Sequence, residues 1–263
     1  MPKARRHIMI DLPKYFDLSV EMKKLYISKD YYAPIKRNNN FSKDDYWLES
    51  VDPDGNKRNR IDEKEQYISD ISAEMDYINK LKPGKILDIG CGLGWLLSAV
   101  DDAWEKHGVE ISQYASEYAT KYANIKNDDF LNVDYDSNFF DLIVMHHVIE
   151  HMENPIENLK QAIRMLKDGG TMIIATPNFD SGCARLFGNN YRLLHDSTHI
   201  SLFSDDSMQR MLRDHSLLVD YVDYPYFNTR YFNKENLDKL FKTNEISPAF
   251  YGNFMTFYCR KNK

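Results

Sequence analysis

Glycines at alternate positions, Gly90, Gly92 and Gly94, directly follow a short apolar run that reads as a buried strand. Glycine lacks a Cβ, so its backbone can adopt a positive φ and approach a bound ligand closely. Glu110 stands at the end of a second apolar run about 20 residues later, where a carboxylate can accept both hydroxyls of a ribose. Together these residues indicate a site for a ligand that carries a nucleoside.

The spacing of the glycines separates two classes of ligand. A dinucleotide-binding loop has the pattern G-x-G-x-x-G, but the third residue after Gly92 is Trp95. Its indole is too large for the close helix–strand packing of that loop, which argues against a dinucleotide-dependent oxidoreductase. The loop also lacks the Gly-Lys-Ser/Thr ending of a P-loop. Here the pattern is G-x-G-x-G, with Asp88 two residues ahead of it.

Histidines supply the candidate proton acceptors. Five of the 8 histidines fall in two short segments, which hold His146, His147 and His151 in one and His195 and His199 in the other. The pKa of imidazole lies near neutrality, so histidine suits a base that takes a proton from a nucleophile. We expect this base to be His151 first and His199 second, with His195 as a further candidate.

Metal binding is a second interpretation of the first histidine segment. If residues 147–151 are helical, His147, Glu150 and His151 stand at i, i+3 and i+4 on one face, a spacing that suits a divalent metal. Alternatively, Glu150 orients His151 or caps the turn. We expect no metal and keep these three residues as the candidate ligands.

The elements that must position these residues alternate along the chain. Strand-like runs lie at 85–89, 106–111, 141–145, 171–175, 217–224 and 254–259. Helices are predicted from a capping pair at Asp62 and Glu65 to about residue 81, from 95 to 102, after Ser112, from an N-cap at Asn154 to Gly169-Gly170, and after Ser204. This alternation indicates a mostly parallel sheet covered on both faces, with ligands at the carboxyl ends of its strands.

The front segment, residues 1–61, differs from the rest of the chain. It is rich in Tyr, Lys, Asn and Asp, and it contains turn signals such as Asp-Pro-Asp-Gly at 52–55. We interpret it as a helical cap on a core formed by residues 62–263; a partly disordered arm is the alternative.

Several basic residues could hold an anionic substrate group, or else form solvated faces. They are Lys57, Arg58, Arg60, Arg185 and Arg192.

Composition excludes several classes of protein. A chain of 263 residues with 43% hydrophobic and 28% charged residues can bury a core, so disorder throughout is excluded. The net charge of −6 disfavours nucleic-acid binding. Three cysteines without a CxxC pair disfavour a disulfide scaffold or zinc module and favour the cytoplasm. No apolar run reaches the roughly 20 residues of a membrane span, and the start lacks a signal peptide's apolar region.

The order of the motifs resembles that of class I S-adenosylmethionine-dependent methyltransferases, over about residues 60–215. Residues 88–94 look like their first motif, 108–112 like the second, and 128–131 like the segment whose acid meets the adenine. Further similar segments are 140–143, 150–151, 154–155, 166–170, 176–178, 185–188 and 199–204. The branch it resembles contains ubiquinone-pathway O-methyltransferases and methyltransferases of bacterial surface-sugar and natural-product pathways.

The resemblance implies an α/β fold with a doubly wound, mostly parallel, seven-stranded Rossmann-like sheet. It implies S-adenosylmethionine as the cofactor and S-adenosylhomocysteine as its product. Glu110 would bind the ribose hydroxyls, and Asp129, or Asp128 in the alternative register, the adenine amino group. The implied cofactor-binding residues are Asp88, Gly90, Cys91, Gly92, Leu93, Gly94, Trp95, Glu110, Ile111, Asp128, Asp129, Phe130, Met145 and His146. The ubiquinone-pathway enzymes carry Glu at the position of His147, so this chain departs from their pattern.

We therefore expect methyl transfer to a small polar acceptor, at oxygen rather than nitrogen. By resemblance to the branch, the acceptor is a hydroxyl of a sugar, nucleotide-sugar or related metabolite of a bacterial surface-glycan or natural-product pathway, with residues 179–252 supplying acceptor-site loops. N-methylation of a small metabolite and a non-catalytic cofactor-binding subunit are the alternatives. We expect no nucleic-acid partner and no membrane span, and a homodimer stays open.

Overall fold

A seven-stranded sheet forms the centre of the computed structural model, which describes residues 30–35, 47, 50–51, 57–227, 229–249 and 252–262. The strands are β1 (Lys85–Ile89), β2 (Glu105–Val109), β3 (Asn124–Lys126), β4 (Phe140–His146), β5 (Leu166–Pro177), β6 (Leu217–Asp223) and β7 (Phe254–Lys261). Their order across the sheet is β6-β7-β5-β4-β1-β2-β3. β7 runs antiparallel to the other six strands of this sheet, and those six run parallel to one another, which confirms the predicted doubly wound, mostly parallel arrangement.

Helices cover both faces of the sheet. They are α1 (Lys64–Asp70), α2 (Ser72–Ile78), α3 (Trp95–Ala99), α4 (Gln113–Ala119), α5 (Pro155–Met165), α6 (Gly182–Phe187), α7 (Asp205–Asp214) and α8 (Lys234–Lys239). Because side chains alternate along a strand, Leu87 and Ile143 pack toward α5 and α7, whereas Ile86 and Val144 pack toward α2 and α3. Each fully buried side chain of this size, such as Leu159 of α5, contributes about 2 kcal/mol of hydrophobic stabilisation.

Strand order reverses between β1 and β4, which are neighbours in the sheet although β2 and β3 lie between them in sequence. A crevice forms at such a reversal because the connections after the two strands leave toward opposite faces. The glycine loop follows β1, Glu110 follows β2, and His146 ends β4. The fold therefore brings the predicted residues to one edge of the sheet.

The helix predicted after Asp62 is interrupted. A 3₁₀ turn at Arg60–Glu63 comes first, and its N-cap is the side chain of Asn59, which accepts from the backbone N–H of Ile61 at 3.1 Å. The predicted capping pair of Asp62 and Glu65 is therefore wrong. The chain then forms α1 and α2, which meet at the buried Ile71.

The end of α5 also differs from the prediction. The helix stops at Met165 rather than at Gly169-Gly170, because Leu166 adopts an extended backbone and pairs with Phe140 of β4. Pro155 occupies the first turn as predicted, whereas the Asn154 side chain makes no capping hydrogen bond. The short elements β3, α6 and α8 carried too few periodic apolar residues to be predicted.

The described part of the front segment contributes strand pairs. Ala33–Pro34 pairs with Ser201–Leu202, and Ser50–Val51 pairs with Lys57–Arg58. Nearby, the Tyr31 hydroxyl donates to Asp214 Oδ2 at 3.0 Å. Residues 30–35 therefore rest on the loop and helix that follow His199. The helices expected in the front segment fall mostly on residues outside the described ones.

The sequence predicts neither disulfide bonds nor a membrane span. Cys91, Cys183 and Cys259 are buried and form no disulfide. Within the described ranges, we find no helix with the length and apolar character needed to cross a membrane.

Candidate active site

A cavity of about 2080 Å³ opens along the carboxyl edge of the sheet. Sites for a single drug-sized ligand are typically about 300–1,000 Å³, so this one has room for two reactants. Its wall begins at the glycine loop, passes the ends of β2 and β4, and continues to the connection between β6 and β7. We describe it as a nucleoside half, around the glycine loop and Glu110, and a histidine half, around Glu150 and His199.

The glycine loop has the backbone that its residues predict. Gly90, Gly92 and Gly94 have φ values of 69°, 52° and 74°, in the left-handed region that disfavours residues with a Cβ. A Cβ at Gly92 would lie 2.5 Å from Cη2 of Trp47, and one at Gly90 would meet the Val148 side chain. The loop therefore needs glycine for its conformation and for the close approach of neighbouring side chains.

Glu110 is buried and fixed to this loop. Its carboxylate accepts the backbone N–H of Gly92 at 2.9 Å and that of Ser112 at 2.8 Å, while its carbonyl accepts from Asn127 Nδ2 at 2.8 Å. These bonds tie the end of β2 to the glycine loop and hold the carboxylate in the cavity wall. Glu110 thereby lies in the cavity wall directly after β2, the position at which a ribose-binding acid is predicted.

Three of the predicted cofactor residues stand behind the cavity wall. Asp88, Gly94 and Met145 do not line the cavity, and Met145 is fully buried in the core. Burial, together with the nearby Glu110 carboxylate, raises the pKa of Asp88 to about 8. Asp88 is therefore a buried carboxyl near the end of β1 that does not face the cavity.

The nucleoside half is bordered by four further residues that were predicted from the sequence, namely Ile111, Asp128, Asp129 and Phe130. The Asp129 side chain accepts from the backbone N–H of Leu131 at 2.9 Å, and Asp128 Oδ1 accepts from Asn132 Nδ2 at 2.9 Å. Both carboxylates thus brace the same 3₁₀ turn. Their placement leaves open which of the two would meet an adenine amino group.

His146, at the end of β4, is held between two helices that cover the cavity. Its Nδ1 lies 3.3 Å from the Tyr67 hydroxyl of α1, and its Nε2 lies 3.8 Å from Glu74 Oε1 of α2. Burial lowers the pKa of His146 to about 3, with a contribution from His147, and burial raises the pKa of Glu74. The contact with Glu74 is therefore not an ion pair; Glu74 accepts instead from the Thr256 hydroxyl at 3.0 Å.

Glu150 is the centre of the histidine half and is completely buried. Its Oε1 lies 3.2 Å from His147 Nδ1, and its Oε2 accepts from the Thr176 hydroxyl at 3.0 Å. Burial alone would raise the pKa of this carboxyl, but the hydrogen bond to His147 and the three surrounding imidazoles hold it well below its usual range. His147 reaches Glu150 from a left-handed backbone with a φ of 54°.

His151 and His199 face each other with ring centroids 5.0 Å apart. The Nδ1 of His151 lies 3.0 Å from the carbonyl oxygen of Thr198, and the Nδ1 of His199 lies 2.8 Å from that of Leu193. A carbonyl oxygen only accepts, so each Nδ1 must donate, and in the neutral imidazole the acceptor lone pair is then on Nε2. Burial, with the neighbouring His151, lowers the pKa of His199, which favours that neutral form.

The candidate metal ligands are arranged differently from the prediction. Residues 149–151 form a 3₁₀ turn rather than an α-helix, so His147, Glu150 and His151 do not share a helix face. Among the described residues, the donor atoms that come within 4.8 Å of one another belong to Glu150, His151 and His199. One carboxylate and two imidazoles are chemically suited to a divalent cation or to proton transfer.

His195 and several of the predicted basic residues are not brought to the site. His195 is exposed, its Nε2 lies 2.9 Å from the Asn189 carbonyl oxygen, and it does not line the cavity. Arg185 lies outside the lining and pairs with Asp180. Arg60 and Arg192 do line the cavity. The side chains of residues 57 and 58 lie outside those that the structure describes.

Sequence reasoning missed part of the cavity wall, namely Trp47, Tyr67, Glu74, Asn253, Phe254 and Thr256. Glu74 carried a usable signal, since it is an acid three residues after Ile71 on the apolar stripe of α2. The others come from the front segment, α1 and β7. Nothing in their local sequence indicates that these regions meet.

Comparison with known proteins agrees with this geometry. A methyltransferase domain family matches residues 56–221, which is more than half of the chain. The chain belongs to the methyltransferase domain family. A ubiquinone biosynthesis O-methyltransferase of Coxiella burnetii is 30% identical over 138 residues, covering 45% of this chain and 56% of that protein. The chain thus spans little more than half the length of such curated methyltransferase relatives.

Solved structures of methyltransferases share the fold. A SAM-dependent methyltransferase from Archaeoglobus fulgidus aligns with a TM-score of 0.57 at 18% identity, covering 75% of this chain and 94% of that one. A SAM-dependent methyltransferase from Thermotoga maritima, described as a possible histamine N-methyltransferase, aligns with a TM-score of 0.57 at 21% identity, covering 76% and 96%. At these identities the likeness establishes the fold, in agreement with the predicted Rossmann-like sheet.

Proposed function

We propose that the chain transfers the methyl group of S-adenosylmethionine to a hydroxyl of a small polar acceptor. The observation that carries this proposal is that a glycine loop bonded to a buried acid, Glu110, shares one cavity with a pair of imidazoles whose Nε2 atoms can accept protons. The first feature suits a nucleoside cofactor and the second suits deprotonation of a nucleophile.

In the proposed complex, Glu110 would hold the adenosine part of the cofactor, and the glycine loop and His146 would hold its methionine part. Asp128 or Asp129 would meet the adenine amino group, and residues 90–93 and His146 would border the methionine part. The cofactor supplies an electrophilic methyl group on a sulfonium. The protein's task is to align donor and acceptor, which can supply much of the rate enhancement.

His151 and His199 are the proposed bases. When bound, S-adenosylmethionine would supply the methyl group and leave as the neutral thioether, and one of the two Nε2 atoms would take the proton of the acceptor hydroxyl. Glu150 stabilises the imidazolium that forms, because its Oε1 lies 4.0 Å from His151 Nε2 and its carboxyl stays ionised. Either histidine can serve, since the two rings face each other.

A polyhydroxylated acceptor fits the histidine half. Asn253 is almost fully buried on the cavity wall, and its Oδ1 has no hydrogen-bond donor among the described residues. Because buried carbonyl oxygens usually have a partner, we propose that the Asn253 side chain turns toward a hydroxyl of the bound acceptor, which supplies the donor. Thr198, Asp196 and Ser247 line the same region. A sugar, a nucleotide-sugar or a related metabolite is therefore the acceptor class that we propose.

A screen with a radiolabelled methyl donor tests the proposal. The protein is incubated with labelled S-adenosylmethionine and pools of neutral sugars, nucleotide-sugars, phenols and amines, and the extracted products are counted. Label in a sugar pool that is lost in the double variant His151→Ala/His199→Ala supports the assignment. Label confined to amines would replace it with N-methylation, and label in phenols would move the acceptor toward the chemistry named in the ubiquinone biosynthesis relatives.

A further inference from the structure

Tyr67 of α1 occupies a position between the two halves of the cavity. Its ring centroid lies 5.6 Å from that of Trp95, the first residue of α3, and 5.7 Å from that of His146, the last residue of β4. The Tyr67 hydroxyl lies 3.3 Å from His146 Nδ1, which fixes the tyrosine ring relative to the strand end. All three side chains line the cavity.

The expected position of the bound cofactor suggests a role for Tyr67. In the proposed function, the methionine part passes from the glycine loop to the end of β4, with its sulfur between the adenosine and the acceptor. Tyr67 spans these two points, because it contacts Trp95 just after the loop and His146 at the strand end. In that arrangement, the positively charged sulfonium would be the part of the cofactor nearest to these rings.

We infer that Tyr67 provides an aromatic face for the cofactor's sulfonium and makes the site prefer the charged donor over its neutral product. This inference rests on the proposed function, because it requires S-adenosylmethionine in the cavity. A cation near an aromatic ring is attracted by the negative potential of the ring face, most strongly where water is excluded. Methyl transfer removes the positive charge, so the contact between the ring and the sulfur weakens once the product has formed. This weakening assists product release.

The neighbours of Tyr67 are compatible with a cation. The imidazole of His146 is neutral near pH 7, because burial and the adjacent His147 lower its pKa, so it does not repel a sulfonium. Glu74 Oε1 lies 3.8 Å from His146 Nε2. A carboxyl group carries no positive charge, so Glu74 does not repel a sulfonium either. Trp95 supplies a second aromatic ring at the start of α3.

Calorimetric titration of S-adenosylmethionine and S-adenosylhomocysteine into the same protein tests the inference. No acceptor is present, so the donor is not consumed by transfer. The measured quantity is the ratio of the two dissociation constants in the parent, in Tyr67→Phe and in Tyr67→Leu. We expect Tyr67→Phe to retain the preference for the charged donor and Tyr67→Leu to reduce it by about tenfold, the size of a desolvated cation–π contact.

Tyr114→Leu is the matched control, because Tyr114 packs in the same aromatic cluster but does not line the cavity. It should leave the ratio unchanged. If Tyr67→Leu fails to fold, fluorinated phenylalanines at position 67 weaken the ring's negative face at nearly constant shape and should lower the ratio stepwise. Equal loss of both ligands in Tyr67→Leu, or an unchanged ratio across the fluorinated series, would overturn the inference. A parent protein that binds neither ligand would instead reject the proposed function.

Discussion

The two halves of the cavity are held together in different ways. In the nucleoside half, the decisive bonds join backbone groups to a residue only 18 positions away, as between Gly92 and Glu110. In the histidine half, hydrogen bonds join distant parts of the chain, such as His151 with Thr198, 47 positions apart, and Ser201 with Met152, 49 positions apart. The nucleoside half can thus be built from one strand–loop–helix–strand unit, whereas the histidine half depends on how the whole chain packs.

The largest effect that separates the halves should come from removing both proposed bases. The double variant His151→Ala/His199→Ala should lower kcat by about 10²- to 10⁴-fold, because general-base catalysis contributes on that order, while affinity for S-adenosylhomocysteine stays near that of the parent. His195→Ala is the matched control, since His195 is exposed and outside the cavity. Steady-state kinetics with an acceptor from the screen gives kcat, and full turnover in the double variant would remove both histidines from the mechanism.

A smaller effect is expected from Trp47, which links the front segment to the nucleoside half. Its ring covers Gly92 and packs with the cluster of Leu93, Trp95 and Ala115. Trp47→Ala should weaken S-adenosylhomocysteine binding by about 1 kcal/mol, roughly fivefold, whereas Trp47→Phe should retain most of the affinity. Calorimetry measures both. Unchanged affinity in the alanine variant would confine the front segment to acceptor recognition.

Asp88 should affect stability through its raised pKa. The ordinary pKa of 3.8 applies in the unfolded chain, and the folded value is about 8, so between these values the folded state retains a proton that the unfolded state has lost. The free energy of unfolding should therefore fall as the pH rises from about 4 to about 8. Asp88→Asn removes this contribution and should flatten the fall.

Urea denaturation of the parent and of Asp88→Asn at pH 5 and pH 8 checks this prediction. Asp136→Asn, a substitution at an exposed aspartate, is the control. If the parent and Asp88→Asn lose the same free energy between the two pH values, the buried carboxyl does not titrate in this range.

The smallest effect is expected from chelation. The Glu150 carboxylate already has hydrogen-bond partners in His147 and Thr176, so we expect the histidine half to act as a base without a cation. Turnover should survive treatment with EDTA. Reproducible loss, followed by rescue with magnesium or zinc, would contradict this and would make Glu150, His151 and His199 the metal ligands.

The sequence predicted the nucleoside half well because its geometry is local. A strand, three glycines and an acid at the next strand end determine where the loop and Glu110 meet, whatever the rest of the chain does. The motif order also identified the sheet and its family. The ends of the elements were predicted less accurately. The helix α5 was predicted to extend to Gly169-Gly170, whereas Leu166 pairs with Phe140 and belongs to β5.

The histidine half could be predicted only as a set of residue types. Nothing in the sequence separates His199, which faces His151, from His195, which lies four residues earlier and is exposed. The predicted helical face of His147, Glu150 and His151 fails because the chain makes a 3₁₀ turn there. Tyr67 and Glu74 reach the cavity through the packing of α1 and α2 against the sheet edge. The spacing of Glu74 from Ile71 indicates burial, but short-range patterns carry no signal for where these helices pack.

The most direct test of this division compares cofactor affinity between variants of the nucleoside half and variants of the histidine half. S-adenosylhomocysteine is titrated into the parent, into Glu110→Ala, into His151→Ala/His199→Ala and into Glu117→Ala, an exposed control on α4. We predict that Glu110→Ala weakens binding by roughly 2–3 kcal/mol, on the scale of hydrogen bonds to a buried charged group, and that the other two variants bind like the parent. Equal weakening in the histidine variant, unchanged binding in a folded Glu110→Ala, or tight binding of NAD by the parent would contradict the account.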